Sequence, residues 1–374
     1  MLDTTLENAT GTLENILRQI SEQASRKADY IAPTDQIQVV TRDGNTNIVM
    51  EANKGMPTQQ FVTNEVAFNQ LASNCDLDVR TARRLRDNEN YSREFDNLVN
   101  KILVNEPKNK MLRTFDGEQP LVRAIVSDKF KTFDNVDLVQ AALPQLLESD
   151  AQWQIVNGTI TDQRLYMRLK SKNQIAEPAV GDLVSNGVML RNSETGHGSC
   201  EVSQLIWTLA CLNGMTSQNT SRHTHVTSAR GTDEWSLLTN EAKEADNVSL
   251  RLKLRDITAS MADTANFEKT VDQFRLAHGD IVENGLANPS AVVDSVVQVL
   301  KLPKKAASDV MAGLMQTIQQ AGYTNKPVSR ATLVNAVTSV AHVSHDDNVD
   351  EWYSTGRQLL ELPRNQWETI ARAA

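Results

Sequence analysis

Cysteine is scarce in this chain: Cys75, Cys200 and Cys211 are the only three among 374 residues. Three thiols cannot build a disulfide framework, so the expectation is a reduced, cytoplasmic protein. Long apolar runs are absent as well. No stretch of about eighteen apolar residues occurs, which rules out a membrane partner through a spanning helix. The first residues, MLDTTLENATGTLENILRQ, carry acids where a secretory signal needs a basic segment and an apolar run. Aromatic residues make up only 5% of the chain, which leaves few stacking platforms.

The usual signatures of chemistry are missing too. There is no P-loop and no dinucleotide fingerprint, so no nucleotide cofactor is expected. No Gly-x-Ser-x-Gly elbow presents a serine nucleophile, and no defined Asp/Glu set reads as a carboxylate nuclease. His197, Cys200, Cys211, His223 and His225 are zinc-compatible types within thirty residues, but they lack the short Cys-x-x-Cys clip that nucleates a site. His342 and His345 stand beside the acidic run Asp346, Asp347, Asp350 and Glu351, where a helix C-terminus accounts for them. The expectation is a binding protein without cofactor or metal.

Charge is unevenly spread. The formal charge of -9 divides into -6 over residues 1–79, +2 over 80–230 and -5 over 231–374. Only the middle can offer a basic surface. Residues 1–60 read as an N-terminal helix with Leu6, Leu13, Ile16, Leu17 and Ile20 on one face, then a hairpin about Asp43-Gly44. Residues 61–230 read as an α+β core. It opens with a helical hairpin whose second helix carries Arg80, Arg83, Arg84 and Arg86. Strands follow at 121–127, 153–156, 164–169, 187–191 and from Cys200, with Asn157-Gly158 as a hairpin turn and a helix over 136–147. Residues 231–374 read as a mainly helical C-terminal domain. Two apolar stripes there, Val292 to Leu300 and Val310 to Ile318, are either core or a contact between copies of the chain. The fold class is therefore α+β, with an antiparallel-rich central sheet and packed helices.

Three stretches carry a resemblance. RAIVSDKFKTFDN (Arg123–Asn135), GDLVSNGVMLRNSETGHGSCEVSQLIWTLACLNGM (Gly181–Met215) and TLVNAVTSVAHVSH (Thr332–His345) together resemble the phage- and plasmid-like proteins of domain-of-unknown-function family 932. The resemblance extends over roughly residues 60–360. It implies a mobile-DNA context in a bacterial host and carries no catalytic residues over.

Within that context the basic residues of the middle region form the candidate site. Lys108, Lys110 and Arg113 precede the first central strand, and Arg123, Lys129 and Lys131 alternate with Phe130 and Phe133. Arg164, Tyr166, Arg168, Lys170 and Lys172 occupy alternate positions of one strand, which period-two geometry places on a single face. Cations track phosphates and an aromatic face accepts a base, so the pattern suits single-stranded DNA. Gly196 and Gly198 in the loop Asn192–Ser199 either free amides to cradle a phosphate or make a tight turn. The expectation is non-catalytic binding, with possible annealing, of single strands in phage or plasmid replication or recombination by a homo-oligomer. Two alternatives stand beside it: a structural or protein-interaction role in phage assembly or host-factor binding, and a duplex-DNA regulator that uses the arginine-rich helix.

Overall fold

The computed structural model describes residues 3–50, 58–208, 213–223, 239–320, 322–343 and 346–373. Two sheets and the helices around them make an α+β fold. The first sheet has six strands: β1 (Lys27–Pro33), β2 (Ile37–Arg42), β3 (Asn45–Met50), β4 (Gln59–Thr63), β5 (Asn109–Phe115) and β6 (Leu121–Ser127). Their order is β1-β5-β6-β4-β3-β2, antiparallel except where β4 meets β6. The second sheet is an antiparallel meander of β7 (Trp153–Ile160), β8 (Leu165–Ala179), β9 (Asp182–Asn192), β10 (Cys200–Thr208) and β11 (Asn213–His223).

The Asp43-Gly44 turn forms as the sequence indicates. Both residues have positive φ, 50° and 74°, which an Asp-Gly pair tolerates and the two-residue hairpin requires. Asn157-Gly158 behaves differently. It lies inside β7 beside a register shift, and the chain reverses only at 161–164. Here Gly158 serves close packing, since a Cβ on it would fall 2.3 Å from Ile16 Cδ1.

Helix α1 (Asp3–Arg26) lies on β7, while β1, β2 and β3 belong to the same sheet as β5 and β6. Residue 60 therefore marks no domain boundary, because the N-terminal segment supplies half of the first sheet. The core of that sheet forms where Val39, Ile48 and Phe61 meet Phe68 and Leu71 of α2 (Glu65–Asn74) and Phe95 and Val99 of α4 (Ser92–Asn105). Between α2 and α4 runs the short arginine-rich helix α3 (Val79–Arg86), capped by the Asp78 side chain.

One face of the second sheet, with Leu165, Met167, Leu169, Val188 and Leu190, packs on α1, α5 (Asn135–Glu148) and α6 (Asn240–Ala262). The remaining helices among the described residues are α7 (Thr264–Gly279), α8 (Pro289–Val299), α9 (Ala306–Thr317), α10 (Arg330–Ser339), α11 (Asp346–Leu360) and α12 (Arg364–Ala371). They share a core with Val184, Ile206 and Met215 of the second sheet. Val292, Val293, Val296, Val310 and Leu314 are buried in that core. Burying such a side chain is worth roughly 1.5–3 kcal/mol, so these members of the two apolar stripes belong to the core, while Leu300, Met311, Met315 and Ile318 are partly buried against it.

The C-terminal helices are tied to the second sheet by polar contacts as well. Asp182, at the start of β9, is fully buried; its Oδ2 accepts from the Tyr323 hydroxyl at 2.7 Å and lies 2.7 Å from His278 Nε2. The Tyr323 hydroxyl in turn accepts from Asn335, whose Oδ1 takes the Thr208 hydroxyl at 2.9 Å. Asp182→Ala removes the acceptor from both Asp182 neighbours, at about 1–3 kcal/mol for each buried polar group left stranded. A lowered urea midpoint, followed by circular dichroism, is the expected outcome. An unchanged midpoint would show that apolar packing alone docks these helices.

Candidate functional site

The loop Asn192–Ser199 between β9 and β10 is a clasp between the two sheets. Its Glu194 is 7% exposed, and the carboxylate pairs with Arg123 of β6 and accepts from the Asn135 amide at 2.5 Å. The Glu194 carbonyl accepts from Arg113 Nη1 at 2.8 Å. Asn192 Nδ2 donates to the Phe133 carbonyl (2.9 Å) and to Asn135 Oδ1 (3.1 Å). Gln70 of α2 closes the clasp: it donates to the Thr195 carbonyl at 2.7 Å and accepts from the Ile125 amide at 2.7 Å. The loop hydroxyls are also engaged, with Ser193 and Thr195 donating to backbone carbonyls of the 161–164 turn. Gly196 has φ +82° and makes the tight turn; no phosphate cradle is needed to account for it.

Arg113 sits at the centre of this clasp with 0% exposure. It pairs with Asp29 at 3.1 Å and Asp134 at 2.6 Å. Burial opposes its charge, but the carboxylates of Asp134, Asp29 and Glu194 outweigh burial and hold the guanidinium above its ordinary value. Asp134 shows the converse. Burial favours its neutral form, yet Arg113 and Lys27 keep its carboxyl well below the usual carboxylate range. Asp134 also opens α5, its amide donating to Asp137 Oδ2 at 2.9 Å.

The ten candidate residues consequently separate. Arg113, Arg123, Tyr166 and Arg168 are buried, at 0%, 5%, 3% and 3% exposure. Arg164 donates to the His197 carbonyl and, at 2.9 Å, to the Tyr166 hydroxyl. None of these five lies on a free basic face. The alternation along β8 is real, but the face it was expected to expose is covered. Tyr353 of α11 lies 5.9 Å from the Arg168 guanidinium, and Met189, Leu205 and Trp207 of the same sheet pack on Val349 and Tyr353. The lysines stay nearer to solvent. Lys108 is exposed; Lys110 donates to Asn74 Oδ1 at 2.8 Å; Lys129 is half-buried; Lys131 pairs with Asp246 at 3.1 Å. Burial pushes the ammonium of half-buried Lys170 below its ordinary value, and burial together with Lys108 does the same to Lys110.

What the sequence did not reveal is a cavity of about 490 Å³ at the start of β8. Tyr166 and Arg168 line it, together with Asn157–Thr159 of β7, the turn residues Thr161, Asp162 and Gln163, and Glu65 and Val66 at the start of α2. Arg168 Nη1 donates to Asn157 Oδ1 at 3.3 Å, which orients both side chains. Glu65 holds Arg83 at 3.1 Å and Arg86 at 2.6 Å, so the arginine-rich α3 stands next to the cavity. Arg86 lies 4.2 Å over the Phe68 ring, whereas Arg80 and Arg84 are exposed. Thus Glu65, which lines the cavity together with the β7–β8 hairpin, also anchors α3. The signal that could have joined them, the Glu65–Arg83 and Glu65–Arg86 pairing, is invisible without the fold.

Cys200 is buried, and burial with the charge of Glu201 pushes its thiol up; burial raises the Cys75 thiol to about 11. Neither is a ready nucleophile or metal ligand. Among the described residues no group of three or more His, Cys, Asp or Glu side chains is placed to hold a metal ion. Cys211, His225 and the side chains of His223, His342 and His345 lie outside the described residues. No helix among them is long and apolar enough to cross a membrane. No family model, curated protein or solved structure matches this chain.

The Asp134 clasp makes a pH prediction. A carboxyl depressed in the fold contributes fully above the ordinary carboxylate pKa of about 4, and that contribution is lost as pH falls towards the lower folded value. Asp134→Asn should start with lower stability at neutral pH and decline less steeply below about pH 4, as read by urea midpoints across pH. Parallel declines would remove Asp134 from the acid response. In the same assay Arg168→Glu is expected to be strongly destabilising, because it buries a carboxylate where a cation stood. A near-native midpoint for that variant would contradict the burial described.

Proposed function

We propose that the protein binds single-stranded DNA without catalysing a reaction on it, taking one unstacked base into the cavity beside α3. One observation carries this reading. A cavity of about 490 Å³, within the span of about 300–1,000 Å³ usual for small-ligand sites, is lined by Tyr166, amide and hydroxyl side chains and Glu65, the residue that holds the arginine-rich helix. Tyr166 forms part of the wall, and Asn157, Thr159, Thr161 and Gln163 offer donors and acceptors for the edge of a base. Exposed Arg80 and Arg84 on α3 and exposed Lys172 on β8 are cations that can follow phosphates.

A paired base cannot enter such a cavity without being flipped out, which costs a few kcal/mol, so single strands are favoured over duplexes. The mobile-DNA context implied by the sequence resemblance to the family of phage- and plasmid-like proteins supports this reading. The basic face along β8, with Arg164 and Arg168 as phosphate contacts, forms no part of it.

The test is fluorescence anisotropy with labelled single- and double-stranded oligonucleotides over a salt series. Single strands should bind at least tenfold more tightly than duplexes, and affinity should fall steeply with salt. Arg80→Glu combined with Arg84→Glu, both at exposed positions, should weaken single-strand binding tenfold or more and flatten the salt slope while leaving the thermal melt in place. Binding that is absent at low salt, or unaffected by the double substitution, would overturn the proposal.

A further inference from the structure

Most polar side chains in the wall of the larger cavity have already spent their acceptors. Glu65 gives Oε2 to Arg83 at 3.1 Å and Oε1 to Arg86 at 2.6 Å. Asn157 Oδ1 accepts from Arg168 at 3.3 Å. The Thr161 hydroxyl accepts from the Gln163 and Arg164 amides, at 3.2 and 3.0 Å, and donates to the Arg164 carbonyl at 3.2 Å. Asp162 differs. It lines the same cavity, but its carboxylate makes no hydrogen bond or ion pair with any described residue. The turn that carries it is nevertheless held. The Thr161 amide donates to the Arg164 carbonyl at 2.9 Å, and the Asp162 and Gln163 carbonyls accept from Thr195 and Ser193 of the clasp loop. An unspent carboxylate therefore stands on a fixed backbone, where a ligand has no turn to order.

A second cavity, of about 40 Å³, shares Thr161, Asp162 and Gln163 as wall. At roughly 10–15 Å³ for each water-sized atom it admits about three, too few for a base. Arg123 and Glu194, which also line it, pair with each other. A base that meets Asp162 therefore does so in the larger cavity.

Bases differ in what they offer to a carboxylate, which only accepts. Thymine has one ring N–H flanked by two carbonyls, which a carboxylate repels. Adenine and cytosine each have one amino group beside a ring nitrogen that is itself an acceptor. Guanine alone sets two donors side by side on its pairing edge, N1–H and the N2 amino group, and the two oxygens of one carboxylate match that pair. The Gln163 side-chain amide, likewise unengaged among the described residues, supplies a donor for O6, the acceptor next to N1.

We infer that the base taken into this cavity is guanine, selected by the Asp162 carboxylate through N1–H and the N2 amino group. The inference rests on the reading of the cavity as a base site. Asp162 is exposed, so water competes for its carboxylate. The preference expected is accordingly at the low end of what a bidentate pair gives, about tenfold.

Isothermal titration of deoxyguanosine monophosphate tests this without any strand. That nucleotide should bind saturably, and about tenfold more tightly than deoxyinosine monophosphate, which lacks the N2 amino group, or thymidine monophosphate. Asp162→Asn, at an exposed position whose side chain holds nothing else in place, should erase the difference and leave the thermal melt unchanged. Equal affinities for the three nucleotides, no binding of the guanine nucleotide, or a preference that Asp162→Asn retains would overturn the inference. Oligonucleotide binding with no gain from a guanine placed in a thymidine strand would also overturn it, while leaving the single-strand reading in place. Guanine-nucleotide binding by a protein that binds no strand would do the reverse.

Discussion

The two sheets are joined through buried charge, and the rest of the molecule is arranged around that join. Arg113 from β5 and Arg123 from β6 reach out of the first sheet towards Glu194, in the loop that closes the second. Lys27 and Asp29 of β1 and Asp134 at the head of α5 complete the set. Three cations meet three carboxylates, so desolvation of each is offset by a neighbour. Such networks add little net stability compared with apolar residues of equal volume, but losing one member leaves a buried charge uncompensated, at about 3–5 kcal/mol. What the network supplies here is geometry. An apolar join would allow the sheets to slide, whereas paired and hydrogen-bonded charges admit one register of the loop against β5 and β6.

Both cavities follow from that register. The β7–β8 turn is held to the clasp loop by Ser193 and Thr195, and Arg164 ties the start of β8 to His197 in the same loop. The turn therefore stands at a fixed height above the start of α2. On one side it walls the larger cavity against Glu65; on the other it walls the smaller one against Asn64. Two consecutive residues at one helix start thus face two different spaces. Neither cavity would keep its shape if the clasp were loose, although the loop Asn192–Ser199 donates no group to the larger one.

How much of this was readable beforehand depended on how local each cause is. The Asp43-Gly44 hairpin, the α2–α3 hairpin, the α5 start at Asp134 and the valine stripes of α8 and α9 all rest on short-range chemistry, and all are found. Asn157-Gly158 misled because the pair suits a bulge as well as a turn, and the choice was made by Ile16 of α1, some 140 residues earlier. The alternation of Arg164, Tyr166, Arg168 and Lys170 gave the right face but the wrong surroundings. Alternation reports that two faces differ; it cannot say that α11, almost 190 residues later, will cover the polar one. The clasp loop was noticed for its glycines, while its function as a join depends on Gln70, Arg113, Arg123 and Asn135, whose proximity only the fold creates.

The same distinction governs how charge should be weighed in a protein with a formal charge of -9. A count over residues 80–230 treats every arginine as surface, but Arg113, Arg123 and Arg168 are interior and Arg83 and Arg86 already face Glu65. Interior cations are balanced by interior carboxylates and add little to the field outside. Among the described side chains of residues 80–230 the exposed cations are Arg80, Arg83 and Arg84 on α3, Arg93 and Lys101 on α4, Lys108, and Lys172 on β8. Screening at physiological salt confines each exposed charge to about 8 Å, so a distant acidic surface does not cancel them. Three of these seven lie on α3, whose Arg83 and Arg86 pair with Glu65 in the wall of the larger cavity. The charge beside one cavity and the charge of the whole chain are thus separate quantities, and a total of -9 speaks only to the second.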